Sequence, residues 1–428
     1  MTITMTEIQA YINLLDENIT ILELSDKPLK ILPDLSKFTK LTTLYCNNNQ
    51  LTYLPDNLPN SLHTLYCNNN QLTSLPDNLP NSLHTLYCNN NQLTSLPDNL
   101  PNSLRYLKCC DNQLTSLPNN LSNSLRYLNC CDNQLTSLSD KLPNSLVIFE
   151  CNNNQITSLP DNLPNSLQKL YCISNQLTFL PNNLPHFLRY LYCNNNQITY
   201  LPEKIPNSLC YIECNNNQLT SLPNNLPHSL RYLYCNNNQI TSLPEKIPNS
   251  LRYLYCNNNQ LTSLPEKIPQ SLTYLYCNNN LLTSLPDLPI SLQTLWCNNN
   301  QITSLPEKIP QSLTYLSCNN NQLTILPDLP LTLITFIYND PNLFISYPLL
   351  LEIDDGSNIT INEILYINKI NSSLRIQERL QLINKNNILL EIYEKKYMHP
   401  LKIQEQINKN IDNNKFIDEI IENYLQFL

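Results

Sequence analysis

Residues 62–82 read Leu62-His63-Thr64-Leu65-Tyr66-Cys67-Asn68-Asn69-Asn70-Gln71-Leu72-Thr73-Ser74-Leu75-Pro76-Asp77-Asn78-Leu79-Pro80-Asn81-Ser82, and the same phrase returns along most of the chain. The cysteine marks the beat. From Cys46 through Cys67 and Cys88 to Cys277 it recurs every 21 residues, Cys297 follows after 20 and Cys318 after 21. The first eleven residues fit L-x-x-L-x-L-x-x-[NC]-x-L, with Cys67 in the sixth place and Asn70 in the ninth. Fourteen turns obey this pattern between Leu41 and about Leu331. A fixed short period means stacked units sharing one continuous core.

Each place has a physical task. The apolar residues at one, four and six (Leu62, Leu65, Cys67) alternate with polar ones, as on a short parallel strand facing a core. Those at eleven and fourteen (Leu72, Leu75) fill the interior from the turn. One turn cannot cover this face, so neighbours must stack, each buried large apolar side chain contributing roughly 1.5–3 kcal/mol. The ninth-place asparagine, from Asn49 to Asn321, is expected to form an internal ladder. It is also expected to take the left-handed turn that glycine usually supplies. The rest of the turn, Leu-Pro-Asp-Asn-Leu-Pro or Leu-Pro-Glu-Lys-Ile-Pro, carries prolines four apart, which exclude helix and suit extended polyproline II. The fold class is a β-rich solenoid with a parallel sheet on its concave face and an extended convex face.

The ends depart from the beat. Thr6 to Asp16 has amphipathic helical spacing, so residues 1–18 read as a helical cap. Degenerate turns starting at Ile19 and Leu333 bracket a solenoid over 19–340. Residues 341–428 turn to Ile, Asn, Lys and Glu, with spacings (Leu374, Leu380, Ile383; Ile417, Ile420, Ile421, Tyr424) that suggest three or four helices.

Composition narrows function. A single glycine in 428 residues excludes glycine-rich nucleotide-binding loops. Five histidines, none at H-E-x-x-H spacing, leave little for zinc hydrolysis. No apolar run is long enough for a membrane span, and Met1 to Glu7 lacks the pattern of a secretory signal, so a cytoplasmic location is expected. No catalytic acid, base and nucleophile can be assembled from the repeats, and no cofactor is expected. A net charge of −9 argues against a nucleic-acid partner.

The L-x-x-L-Y-C-N-N-N-Q-L-T-S-L-P block resembles the leucine-rich repeats of type III secreted effectors of enteric bacteria. It is more similar still to the cysteine-bearing leucine-rich repeat proteins of giant DNA viruses of amoebae. The resemblance spans roughly residues 19–340. It implies a curved solenoid and a protein-binding role, toward a host protein in the host-cell cytoplasm if the chain is viral. Some bacterial relatives carry a ubiquitin-ligase domain with a catalytic cysteine after the repeats; here the last cysteine is Cys318, inside the array, so that activity is not carried over.

Strand residues that do not face the core line the concave surface, at places two, three, five, seven and eight. Place five is mostly Tyr, from Tyr45 to Tyr276 and then Trp296. Place three is often Tyr, and place two holds Arg105, Arg126, Arg189, Arg231 and Arg252. Tyr and Arg offer large contact area with few rotors to freeze; tyrosine also suits strands, so stacking between turns is the competing reading. Turns from Leu188 to Tyr276 are richest, and the candidate partner-binding residues are Arg189, Tyr190, Tyr192, Tyr211, Arg231, Tyr232, Tyr234, Arg252, Tyr253, Tyr255, Tyr274 and Tyr276. Their mildly basic character favours an acidic protein partner.

Fourteen of the 17 cysteines share the inward place and read as small core hydrophobes. Cys110, Cys131 and Cys210 fall on places expected to be exposed, but no histidine accompanies them and no metal is expected. Three functions remain open: a non-enzymatic protein-binding module; an adaptor whose residues 341–428 recruit machinery such as a ubiquitin ligase; and a recently expanded array without a dedicated ligand, which the near-identity of 62–82 and 83–103 permits.

Overall fold

In a computed structural model, which describes residues 5–338 and 360–397, every turn supplies one three-residue strand. The first is β1 (Ile21–Glu23) and the last β16 (Thr335–Ile337). They form one parallel sheet in strict chain order, each strand pairing with the next one turn away in register, as Tyr232 with Tyr253. Strands stay short because the period leaves only places three to five between two bends. The middle residue of each is buried, and most flanking residues are half-exposed.

The core is a stack of identical layers. Leu62, Leu65, Cys67 and Leu72 are fully buried, as are their counterparts along the array. The side opposite the sheet carries no helix among the described residues, only bends and irregular backbone, in keeping with two prolines per turn. Each Pro-Asn-Ser-Leu step closes a tight turn, as where the Leu62 N–H donates to the Pro59 carbonyl at 3.0 Å.

The asparagines divide their labour differently from the expectation. The ninth-place residue is the internal ladder: the Asn70 amide donates to the carbonyls of Cys67 in its own turn and Cys46 in the one before, both at 3.0 Å, while its oxygen accepts the Leu51 N–H. The left-handed backbone sits one residue earlier, at place eight. There φ runs from 51° to 57° in every turn from Asp26 to Asn320. Asn, Asp or, once, Ser174 fills this place because short polar side chains tolerate that region better than others do. Asparagine thus stands in for glycine, but at a different place from the ladder.

The chain divides into two compact units, Met1–Ile361 and Asn362–Leu428. Near the start of the first, α1 (Met5–Leu14) buries Ile8 and Ile12 one turn apart. Beyond the solenoid, α2 (Ile361–Tyr397) is a single 37-residue helix. Leu374, Leu380 and Ile383, whose spacing suggested a helix, lie within it, and neither Gly nor Pro interrupts the stretch. The spacing at Ile417 to Tyr424 lies outside the described residues.

Candidate binding face

Alternation along each short strand sends place four inward and places three and five outward, and the in-register sheet stacks equal places into ranks. The nine candidate tyrosines lie on ranks three and five, and Arg189, Arg231 and Arg252 at place two, just before the strands. Arg189, Arg231 and Arg252 are exposed, and the tyrosines are half-exposed.

The tyrosine rings are packed on each other. At place five, Tyr171 and Tyr192 stack at 4.5 Å, Tyr234 and Tyr255 at 4.6 Å, and Tyr255 and Tyr276 at 4.3 Å. Trp296 continues the rank, tilted, at 4.9 Å. At place three, Tyr232, Tyr253 and Tyr274 stack at successive spacings of 4.6 Å. Glu213 interrupts rank five, and Tyr211 bridges the gap by leaning between Tyr192 (4.8 Å) and Tyr234 (5.4 Å). Its hydroxyl donates to the Glu213 carboxylate at 3.0 Å. Burial first, then the Glu213 charge, pushes the Tyr211 phenol well up. An unbroken aromatic surface therefore runs from Tyr171 to Trp296. Because most ring faces are covered by neighbours, a partner would meet ring edges and hydroxyls.

A second aromatic stretch begins the array, with Tyr45 and Tyr66 stacked at 4.7 Å and His63 and His84 at 5.2 Å. Between the two, place five turns polar through Lys108, Asn129 and Glu150. The Asn129 amide donates to the Glu150 carboxylate at 2.6 Å. Burial raises the Glu150 carboxyl above its usual range, although the Tyr127 hydroxyl and the charges of Lys108 and Lys169 oppose the shift. This polar break was not anticipated; its signal was the loss of Tyr from place five in three consecutive turns.

Two cysteine expectations are corrected. Cys110 and Cys131 are buried, not exposed, although Asn68 and Asn152 at the same place seven stay half-exposed: the short thiols sit on adjacent turns close to the backbone, where the Cys131 sulfur accepts the Asn152 N–H at 3.3 Å. Burial pushes both thiols up to about 12. Cys210 is half-exposed and points its thiol at the Arg189 carbonyl. The inward cysteines donate similarly to the next turn's carbonyl, as Cys235 does to Tyr255 at 3.4 Å. Among the described residues no three metal-ligating side chains cluster, and no helix is long and apolar enough to cross a membrane.

A serine rank on the turn edge was also missed, although its signal was the Ser before nearly every first-place Leu. Ser82, for example, donates to the Leu62 carbonyl of the preceding turn. On the proline-bearing side a shallow groove of about 350 Å³ is lined by Tyr200, Pro202, Glu203 and Lys204 among others.

The family described as Leucine Rich repeats (2 copies) matches residues 60–102, 249–289 and 290–332, and the single Leucine Rich Repeat matches 229–249. Among solved structures, YopM from Yersinia enterocolitica is 37% identical, with a TM-score of 0.69, over 75% of this chain and 74% of that one. YopM from Yersinia pestis, described as a leucine-rich effector protein, is 37% identical, with a TM-score of 0.64, over 75% and 89%. The functional domain of InlJ from Listeria monocytogenes, which includes a cysteine ladder, is 26% identical, with a TM-score of 0.58, over 75% and 69%. No curated protein matches the sequence.

Proposed function

This chain belongs to the leucine-rich repeat family, and from that premise we propose that it is a non-enzymatic module gripping a partner protein on its concave face. Proteins of this family generally serve protein–protein interaction, and the curved surface of a solenoid is where repeat proteins bind. The observation that carries the reading is the aromatic surface from Tyr171 to Trp296. Stacking explains why tyrosine is tolerated there; it does not explain why phenol hydroxyls and arginines gather on one face of an acidic chain. Preordered by their neighbours, these rings lose little entropy when a partner docks. Likeness to bacterial effectors and the resemblance to viral repeat proteins support a host protein as target and the host-cell cytoplasm as location.

The test is capture from a host lysate by the native chain and by a variant with Tyr190, Tyr211, Tyr232 and Tyr253 changed to Ser, with circular dichroism to show both folded. Proteins held by the native chain should be lost from the variant. Equal capture by both would remove the aromatic surface from consideration. A version ending at residue 340 that keeps its client but loses co-captured machinery would favour the adaptor reading instead.

A further inference from the structure

Five arginines occupy place two: Arg105, Arg126, Arg189, Arg231 and Arg252. All are exposed, and among the described residues none has an ion-pair partner or a side-chain hydrogen bond. In a chain of net charge −9, carboxylates are plentiful, so an arginine rank left without one invites an anion from outside. The nearby carboxylates of this face, Glu150 and Glu213, are taken up by Asn129 and Tyr211.

The spacing narrows the anion. Arg105 and Arg126 stand on adjacent turns, as do Arg231 and Arg252, so each pair is separated by one strand spacing of about 4.8 Å. Side chains on one face of an extended peptide recur about 6.8 Å apart, so two successive carboxylates fall out of step with such a pair. One phosphoryl group, carrying close to two negative charges and three acceptor oxygens, can take both guanidinium forks at once. Arg252 immediately precedes Tyr253, whose ring stacks on Tyr232 and Tyr274 at 4.6 Å, so the arginine pair borders the tyrosine rank. The face is an open strip, which suits a group carried on a protein segment better than a free small anion.

We propose that the Arg231–Arg252 pair, and equally the Arg105–Arg126 pair, binds a phosphorylated side chain of the partner protein. This rests on the concave-face reading and specifies its chemistry. The two pairs lie six turns apart, about 29 Å at one strand spacing per turn, so a partner bearing two phosphorylated side chains at that separation would engage both.

Fluorescence anisotropy with three peptide libraries tests it: central phosphoserine, Ser or Glu, each flanked by randomised neutral residues. The phosphoserine library should bind at least about tenfold more tightly than the Glu library. That preference should fade as the pH falls below about 6, where the phosphoryl group takes up its second proton. R231Q/R252Q and R105Q/R126Q should each weaken binding, and combining them should abolish it. R231K/R252K, keeping charge but losing the forks, should fall between native and Gln. Equal binding of the Glu library, no phosphoserine binding, or indifference to the arginine changes would overturn the proposal. Tighter binding of a mixed-sequence single-stranded oligonucleotide would overturn it in favour of nucleic acid. If the tyrosine variant loses its captured proteins while phosphopeptides fail to bind, only this inference falls. If phosphopeptides bind while the tyrosine change leaves capture intact, the aromatic docking reading falls instead.

Discussion

Three consecutive asparagines in one turn do three different things. Asn215 accepts the Asn236 N–H of the next turn on its side-chain oxygen, Asn216 holds the left-handed bend with φ 54°, and Asn217 spans the interior. The sequence pattern showed that these residues mattered, but residues of one type at adjacent places carry no mark of which bends and which bridges. Burial of Cys110 and Cys131 was illegible for a related reason: place seven is half-exposed where Asn68 or Asn152 fills it, and position alone does not show that a short thiol there tucks against the backbone. Glu150 shows what a misfit at a ranked place does. Its carboxyl is raised by burial, so the folded state favours the protonated form. Its contribution to stability is therefore present below the usual carboxylate range and declines as the pH rises through the raised value. Glu150→Gln removes that dependence, so the urea midpoint of the variant should gain on that of the native protein as the pH rises from about 4, where a free glutamate titrates, through the raised value. A constant gap across that range would show that the carboxyl titrates normally.

At the scale of the turn, side-chain ladders do what helices do in other solenoids. Asn217 donates to the carbonyls of Cys193, Cys214 and Asn215 and accepts the Ile198 N–H, binding two turns at one buried point. Removing it leaves the buried Ile198 N–H without a partner, at about 1–3 kcal/mol, while the Cys193, Cys214 and Asn215 carbonyls keep Asn196, Asn238 and Asn195 as donors. Asn217→Ala should therefore cost about 1–3 kcal/mol by urea unfolding. Gln218→Ala, one residue away and exposed, should change stability by less than about 0.5 kcal/mol. Comparable losses from both would mean that the ladder adds little beyond its backbone bonds. This ladder could be read in advance, because an asparagine amid leucines at every ninth place has no other use. The serine rank was equally regular yet escaped notice, since Ser beside Pro and Asn reads simply as a turn.

For the whole array, register is the governing quantity. Because each strand pairs only with the strands one turn away, removing a complete turn rejoins two like neighbours, whereas removing part of one throws Leu and Cys off the core face. Deleting residues 62–82 should leave a folded, slightly less stable protein with a native-like circular dichroism spectrum. Deleting residues 62–71 should give a chain that unfolds at much lower temperature or not cooperatively. Similar melting of both would contradict a core built by stacking alone. The solenoid was legible from its period and the concave ranks from alternation, but not the aromatic continuity across Glu213. That continuity depends on Tyr211 crossing from one rank to the next, a choice of side-chain direction that no spacing encodes. The nearest-neighbour sheet also has a mechanical consequence. Tension applied between Ile21 and Ile337 meets no long-range strut, so the array should yield by peeling from an end, one turn after another, each releasing a similar length of slack. Such a molecule gives way in small equal steps under load and rewinds along the same path when the load is withdrawn.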